Sequence, residues 1–339
     1  MIVDLRSDTV TRPPREMLDA MLAAELGDDV LGDDPTVHRL EAMAAERMGK
    51  EAAVYVPSGT MANQIAVQVW TQPGDAILVE QDAHVLFYES GGPGVHSGVV
   101  TFTLPSDNGV MDPSVVESRI TKATEHTPGT TLLCVENTHN RAGGTVVPLE
   151  FMRAYREVAD RHGLRVHLDG ARIFNAAAAL GVEAKQIAAF ADTVSFCLSK
   201  GLSCPVGSLV CGPAEKMEHA HRLRKRMGGA MRQAGLLAAC GIYALDNLVE
   251  RLADDHRRAR EFAEHVNGRD GLCVDFDTVQ TNIVRVRTDS PATDWQKRLE
   301  EKGVRCFATG PNSLRFVFHR EVDDEQTAFA KKVLSEIAG

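Results

Sequence analysis

The sequence has 339 residues, of which 44% are hydrophobic and 25% charged, a composition typical of a globular protein with one large and one smaller domain. The formal net charge of −10 argues against a nucleic-acid-binding protein, because contacts to phosphates need a cationic surface. Seven cysteines without a Cys-x-x-Cys pair argue against a disulfide framework or a zinc site, and we expect no metal. Without a visible signal peptide or membrane span, we expect a cytoplasmic protein with a small-molecule substrate and no membrane or nucleic-acid partner.

The first part of the chain predicts an α/β domain. Residues 1–15 form an arm that is too poor in apolar residues to fold alone, and we expect it to pack onto the rest. From about residue 52 to 211, apolar strands alternate with helices, which predicts a mostly parallel sheet covered on both faces. The predicted strands are 52–56, 76–80, 99–104, 132–136, 165–168, 193–198 and 208–211, with helices that include 61–70, 113–123 and 149–162.

A smaller α/β unit is predicted to follow. Residues 231–266 have a helical pattern whose charged second half suits a connector between domains. Beyond it, the predicted strands are 282–286, 304–308 and 314–318, and the predicted helices are 292–302 and 324–337. We therefore predict an arm of residues 1–15, a large domain of residues 16–245 and a small C-terminal domain of residues 246–339.

Two polar residues follow predicted neighbouring strands. An apolar strand runs into Ser199-Lys200-Gly201, and another strand, one strand–helix–strand unit earlier, ends at Asp169. In a parallel sheet both residues lie at the carboxyl edge, where ligands of open α/β sheets bind. There the aspartate can keep a pyridine nitrogen protonated. Taken alone, however, such a lysine is most often solvated and such an aspartate is most often a cap.

A third feature is the turn Ser58-Gly59-Thr60, which connects a strand to a helix. Its hydroxyls and free amide groups suit a phosphate, although a plain helix cap is the alternative. No phosphate-binding loop of the nucleotide type follows any strand. A phosphate site, an acid for a ring nitrogen and a lysine for a covalent bond together indicate a pyridoxal 5′-phosphate (PLP) enzyme.

Nearly the whole chain resembles the low-specificity L-threonine aldolases of the β-eliminating lyase group. The similar segments are 5–11, 58–61, 84–92, 136–140, 167–172, 198–201 and 231–233. The resemblance implies an aspartate-aminotransferase-like fold and a homotetramer built from dimers that share active sites. Ala62 and Ala230 depart from the pattern, because relatives often have glycine at these positions.

The resemblance also implies roles for individual residues. The implied cofactor-binding set is Ser58, Gly59 and Thr60 for the phosphate, His84 stacked on the ring, Asp169 at the pyridine nitrogen, Lys200 as the Schiff-base lysine, Arg172, and Arg232 reaching a phosphate in the neighbouring subunit. The implied substrate-carboxylate set is Ser7, Arg172 and Arg315. For Arg232 and Arg315 the alternatives are, respectively, an ion pair at a helix start and a solvent-facing strand position.

The implied reaction is retro-aldol cleavage of L-threonine, L-allo-threonine or a related β-hydroxy amino acid to glycine and an aldehyde. A general base is needed for the β-hydroxyl proton, and a histidine is the first choice. We rank His84 first, Glu89 acting through a water second, and His126 third. Another PLP reaction, such as β-elimination or transamination, and a non-enzymatic PLP-binding module are the alternatives.

Overall fold

The computed structural model describes residues 1–338. Its strands are β1 Val3–Asp4, β2 Ala52–Val56, β3 Ala76–Glu80, β4 Val100–Leu104, β5 Thr130–Glu136, β6 Arg165–Asp169, β7 Thr193–Cys197, β8 Ser208–Gly212, β9 Leu272–Cys273, β10 Ile283–Thr288, β11 Val304–Arg305, β12 Phe307–Gly310 and β13 Ser313–Val317. Its α-helices are α1 Arg15–Leu22, α2 Pro35–Met48, α3 Gly59–Gln68, α4 His84–Phe87, α5 Pro113–Ser118, α6 Leu149–His162, α7 Ile173–Leu180, α8 Ala184–Ala188, α9 Ala214–Arg226, α10 Gly235–Asn247, α11 Leu252–Val266, α12 Ala292–Glu301 and α13 Asp324–Ala338.

A seven-stranded sheet forms the centre of the molecule, in the order β2-β8-β7-β6-β5-β3-β4. Strands β7, β6, β5, β3 and β4 pair in parallel, whereas β8 is antiparallel to both of its neighbours. Strand β2 therefore runs in the same direction as the parallel strands, and the carboxyl ends of six strands meet at one edge. This arrangement confirms the predicted mostly parallel α/β sheet.

Helices cover both faces of this sheet, as its apolar strands require. In β2, Ala53 and Tyr55 join the cluster that includes α2 and α10, whereas Val54 and Val56 join the cluster on α3 and α9. Alternate residues of a strand point to opposite faces, so both faces are buried. Among residues 1–338, no helix is both long and apolar enough to cross a membrane.

A second, smaller core lies in the C-terminal part of the chain. Strands β12, β13, β10 and β9 form an antiparallel sheet, and Phe262, Phe316 and Phe318 pack in the core beside it. The N-terminal arm joins this core, because β1 pairs in parallel with β11 and Val3 and Leu5 are buried there. The arm thus packs against the end of the chain.

Two sequence predictions are wrong in detail. The strand predicted at 304–308 is divided at Cys306, because β11 pairs with the N-terminal arm and β12 pairs with β13. The helix predicted at 113–123 ends at Ser118. Beyond it, the backbone N–H of Thr121 donates to Thr130 Oγ1 at the start of β5 and its hydroxyl donates to the carbonyl of Pro128, so these groups are not available to continue the helix.

Candidate active site

The carboxyl edge of the central sheet brings several of the predicted residues together. The turn at Gly59 follows β2, Asp169 ends β6 and Lys200 follows β7, the strand paired with β6. A cavity of about 500 Å³ opens at Lys200. The predicted residues that line it are Ser7, His84, Arg172, Lys200 and Arg315, and the others are Thr9, Tyr88, Asn140, Arg141, Arg285, Phe307, Ala308 and Thr309.

Asp169 is a buried, ionised carboxylate. Its Oδ2 accepts a hydrogen bond from Asn63 Nδ2 at 2.8 Å, and its Oδ1 accepts one from the backbone N–H of Ala171 at 3.1 Å. Burial alone raises the pKa of Asp169, but the charges of His84 and Lys200 and the Asn63 hydrogen bond bring it below its ordinary value. A buried negative charge, held in place by hydrogen bonds, therefore lies near Lys200.

Asn63, on α3, is the centre of a buried hydrogen-bond network. Its Nδ2 also donates to Glu89 Oε1 at 2.8 Å, and its Oδ1 accepts from Ser195 Oγ at 2.7 Å. The same Oδ1 lies 3.1 Å from His167 Nε2, and burial lowers the pKa of His167 to about 4. His167 is consequently neutral with its proton on Nε2. Both amide hydrogens of Asn63 therefore point to carboxylates, and its orientation is fixed.

His84 contacts the second of these carboxylates. Its Nδ1 lies 2.9 Å from Glu89 Oε1, and Gln64 donates to the other oxygen of Glu89. Burial lowers the pKa of His84, but the Glu89 hydrogen bond and the charge of Asp169 raise it above its ordinary value. Because Glu89 accepts through Oε1, Nδ1 carries a proton. Within residues 1–338, Nε2 of His84 forms no hydrogen bond.

Arg172 is held by a buried ion pair with Asp8. Its Nε and Nη2 donate to the two oxygens of Asp8, each at 2.7 Å, and both side chains are almost fully buried. Burial raises the pKa of Asp8, but Arg172 brings it far below its ordinary value. The remaining nitrogen, Nη1, lies 3.3 Å from Asn140 Oδ1. The ion pair leaves this nitrogen of Arg172 for a ligand.

Arg315, on β13, contacts the same asparagine oxygen as Arg172. Its Nη1 lies 3.5 Å from Asn140 Oδ1, and its Nη2 lies 3.3 Å from the carbonyl oxygen of Arg6. Its Nε is buried and has no hydrogen-bond partner within residues 1–338. Burial and the charge of Arg172 lower the pKa of Arg315. Arg315 thus has long, incomplete contacts and can accept an anion.

The turn predicted to hold a phosphate begins α3. Ser58 Oγ accepts a hydrogen bond from the backbone N–H of Met61 at 3.2 Å, so Ser58 is also a helix cap. Gly59 lies so close to β7 that a Cβ atom would be 2.7 Å from Cys197 Sγ. Within the described chain, the N–H groups of Gly59 and Thr60 donate to no acceptor. Two free donors at a helix N-terminus suit an anion.

Two predicted residues lie away from the cavity. His126 is exposed in the segment between α5 and β5. Arg232 is 57% exposed and forms an ion pair with Asp28 at 3.0 Å. Asp8, Asn63 and Asn140 are site residues for which the sequence predicts no role, although all three lie in or beside segments that carry the resemblance.

Comparisons with known proteins agree with this fold. The sequence profile of the beta-eliminating lyase family matches residues 4–289. Low-specificity L-threonine aldolase 1 of Arabidopsis thaliana is 42% identical over 94% of this chain and 92% of its own, and the low specificity L-threonine aldolase of Escherichia coli (strain K12) is 42% identical over 96% of each.

Solved structures show the same architecture at lower identity. The threonine aldolase of Leishmania major has a TM-score of 0.87 at 19% identity, covering 99% of both chains. The serine palmitoyltransferase of Sphingomonas wittichii has a TM-score of 0.78 at 18% identity, covering 99% of this chain and 86% of its own. These likenesses confirm the predicted aspartate-aminotransferase-like fold.

Proposed function

This chain belongs to the beta-eliminating lyase family, and we propose that it is a PLP-dependent aldehyde-lyase that cleaves β-hydroxy amino acids. Its substrates are L-threonine, L-allo-threonine and related compounds, and its products are glycine and an aldehyde. The observation that carries the proposal is that one cavity joins Lys200 with two arginines, Arg172 and Arg315, and that the charge of Lys200 interacts with the buried carboxylate of Asp169.

The residues present fit the cofactor. Lys200 reaches the cavity and forms no ion pair within residues 1–338, so its amine is available for the covalent bond to PLP. Asp169 would pair with the ring nitrogen, and Ser58, Gly59 and Thr60 would hold the phosphate with their free donors. When bound, PLP supplies an electron-poor ring that accepts the electron pair of a bond broken at Cα.

The substrate carboxylate is held by Ser7, Arg172 and Arg315. Asp8 fixes the guanidinium of Arg172, and Asn140 lies between the two arginines and marks where their donors converge. An arginine with a buried unpaired donor, such as Arg315 Nε, is stabilised by an anion. Binding of the carboxylate in this way sets the orientation of the substrate, so that the Cα–Cβ bond is the one that breaks.

His84 is the general base in this proposal. Its Nε2 takes the proton of the β-hydroxyl group, while Glu89 holds the opposite side of the ring at Nδ1. The direct contact supports a positioning role for Glu89 over proton transfer through a water, the second choice of the sequence analysis. His126 remains the third candidate, and it would have to act from a neighbouring subunit because it does not line the cavity of its own chain.

The cytoplasmic location and the homotetramer expected from the sequence are part of this proposal. In such an assembly, Arg232 of one chain would reach the phosphate held by its neighbour. The exposure of Arg232 supports this role, because within residues 1–338 its one ion pair is with the partly exposed Asp28. Light scattering of the purified protein tests the assembly, and a monomer would contradict it.

Product analysis tests the reaction. The PLP-loaded enzyme is incubated with L-threonine and, separately, with L-allo-threonine, and the products are separated by chromatography. We expect equal amounts of glycine and acetaldehyde. A keto acid with ammonia would instead assign the cavity to β-elimination, and a PLP-dependent exchange of amino groups would assign it to transamination.

A further inference from the structure

The cavity carries more positive charge than the proposed reaction uses. Five of its lining residues are lysine or arginine, and none is aspartate or glutamate: the five are Arg141, Arg172, Lys200, Arg285 and Arg315. The ion pair with Asp8 neutralises the charge of Arg172, and Asp82 Oδ1 lies 3.2 Å from Arg141 Nε. The proposed function assigns Lys200 to the cofactor and Arg315 to the substrate carboxylate. Arg285 is left without a role.

Arg285 lies directly beside Arg315. The two are Cα partners in the antiparallel pair β10–β13, and Phe307 is the partner of Arg315 on the other side. The three side chains therefore form a row on one face of the small sheet, and all three line the cavity. Like charges directly opposite each other destabilise a sheet. Within residues 1–338, no carboxylate forms an ion pair with Arg285.

The Arg285 side chain is held in place at the cavity. Its Cδ lies 3.1 Å from the point that a Cβ atom on Gly143 would occupy, so its stem packs against that glycine. Within residues 1–338, Arg285 forms no hydrogen bond to Asn140, on which Arg172 and Arg315 converge. Arg285 therefore lies next to the position proposed for the substrate carboxylate, but it is not one of the residues that bind this group. A second anionic group beside the first would relieve the repulsion between Arg285 and Arg315.

Building on the proposed function, we infer that Arg285 binds a carboxylate on the β-substituent of the substrate. The substrate class is then β-hydroxy amino acids with an acidic side chain, of which 3-hydroxyaspartate is the smallest. In its cleavage the hydroxyl proton goes to the base, the Cβ–O bond becomes a carbonyl, and the Cα–Cβ bond breaks. Its electron pair stays at Cα, which takes up a proton. The products are glycine and glyoxylate, and no oxidant or reductant is consumed.

Kinetics with matched variants test the inference. The PLP-loaded wild type, Arg285→Met and Arg287→Met are compared on L-3-hydroxyaspartate, L-threonine and phenylserine. Arg287 lies two residues along the same strand, is exposed and does not line the cavity, so it is the control for charge removal. We expect the ratio of kcat/KM for hydroxyaspartate over threonine to fall by about tenfold or more in Arg285→Met, as for a lost charged hydrogen bond. Arg287→Met should leave this ratio unchanged.

A binding measurement separates recognition from turnover. L-aspartate and L-asparagine have the same size and no β-hydroxyl group, and each is tested as an inhibitor of threonine cleavage. We expect aspartate to inhibit at a several-fold lower concentration, and this preference to disappear in Arg285→Met. Arg285→Lys should restore part of it, because the charge returns without the planar fork.

The outcomes distinguish this inference from the proposed function. Threonine cleavage with no preference for hydroxyaspartate or aspartate would overturn the inference and leave the proposed function standing. Improved cleavage of phenylserine by Arg285→Met, with hydroxyaspartate unaffected, would also overturn it, since Phe307 and Tyr88 would then hold an aromatic substituent. Cleavage of hydroxyaspartate without cleavage of threonine would overturn the proposed substrates and support the inference.

Discussion

His84 Nδ1 and Glu89 Oε1 lie 2.9 Å apart, and the Glu89 side chain is fully buried while 29% of the His84 side chain is exposed. The buried Glu89 carboxylate holds His84 at Nδ1 and raises the pKa of the imidazole. The other ring nitrogen, Nε2, is left for the substrate. In the proposed reaction, His84 must be neutral at Nε2 to accept a proton. Activity should therefore rise with pH through the pKa of His84.

Glu89→Gln should move the rise of activity with pH, the acid limb of the pH profile, to lower pH. Removal of the anion removes the interaction that raises the pKa of His84, and a nearby opposite charge typically shifts a pKa by one unit or more. The measurement is kcat/KM for L-threonine from acid to neutral pH, with exposed Glu125→Gln as the control. An acid limb at the same pH in Glu89→Gln would show that His84 is not the titrating base.

Asn63→Leu should weaken the binding of PLP by about tenfold or more. The leucine removes one hydrogen-bond donor from each of the buried carboxylates of Asp169 and Glu89, and a lost hydrogen bond to a charged group costs about 1.5–3 kcal/mol. Loss of this donor raises the pKa of Asp169 and weakens its pairing with the ring nitrogen. Titration of the apoenzyme with PLP, followed by visible absorbance, gives the affinity. Asn247→Leu, at an exposed position of α10, is the control, and equal affinities in the two variants would contradict the network.

Asp8→Asn should lower the free energy of unfolding by roughly 3–5 kcal/mol, because it leaves the charge of Arg172 buried and unpaired. Urea unfolding measures this, with Asp19→Asn in an exposed ion pair as the control. The pKa of Asp8 is lower in the folded state, so its contribution is complete above its ordinary pKa and is lost as the pH falls through the folded value. An Asp8→Asn protein as stable as the control would refute the assigned ion pair.

Arg315→Lys should raise the KM for L-threonine by about tenfold, with a smaller change in kcat. A lysine keeps the charge but cannot form two parallel hydrogen bonds to a carboxylate. Steady-state kinetics measure this split, and Arg260→Lys, in an exposed helical ion pair, is the control. A KM equal to that of the control would remove Arg315 from the carboxylate site.

The meeting of Lys200 and Asp169 at one sheet edge could be predicted from sequence, since apolar strands that end in polar residues carry that information locally. Asn63 could not be found in this way. It lies on a helix and meets Asp169 more than 100 residues later in the chain. Asp8 likewise meets Arg172 only because the arm folds back over the site. Strand and helix patterns predict which face of an element is buried, but they do not predict which polar residues from distant parts of the chain come into contact.

Strand pairing in the small domain also could not be predicted from local sequence patterns. The strand predicted at 304–308 is divided because β11 pairs with β1, which lies at the other end of the chain, and no local pattern contains this pairing. The row of Phe307, Arg315 and Arg285 also depends on strand register. The roles predicted for His126 and Arg232 depend on a neighbouring subunit, and they stay predictions.

The most direct test of PLP bound at Lys200 is the visible spectrum of the purified protein with PLP, beside Lys200→Ala, coupled to an assay for acetaldehyde from L-threonine. We predict a visible cofactor band in the wild type that is lost in Lys200→Ala, together with release of acetaldehyde by the wild type alone. A wild-type protein that shows no such band after PLP is added would contradict the proposed PLP-dependent function.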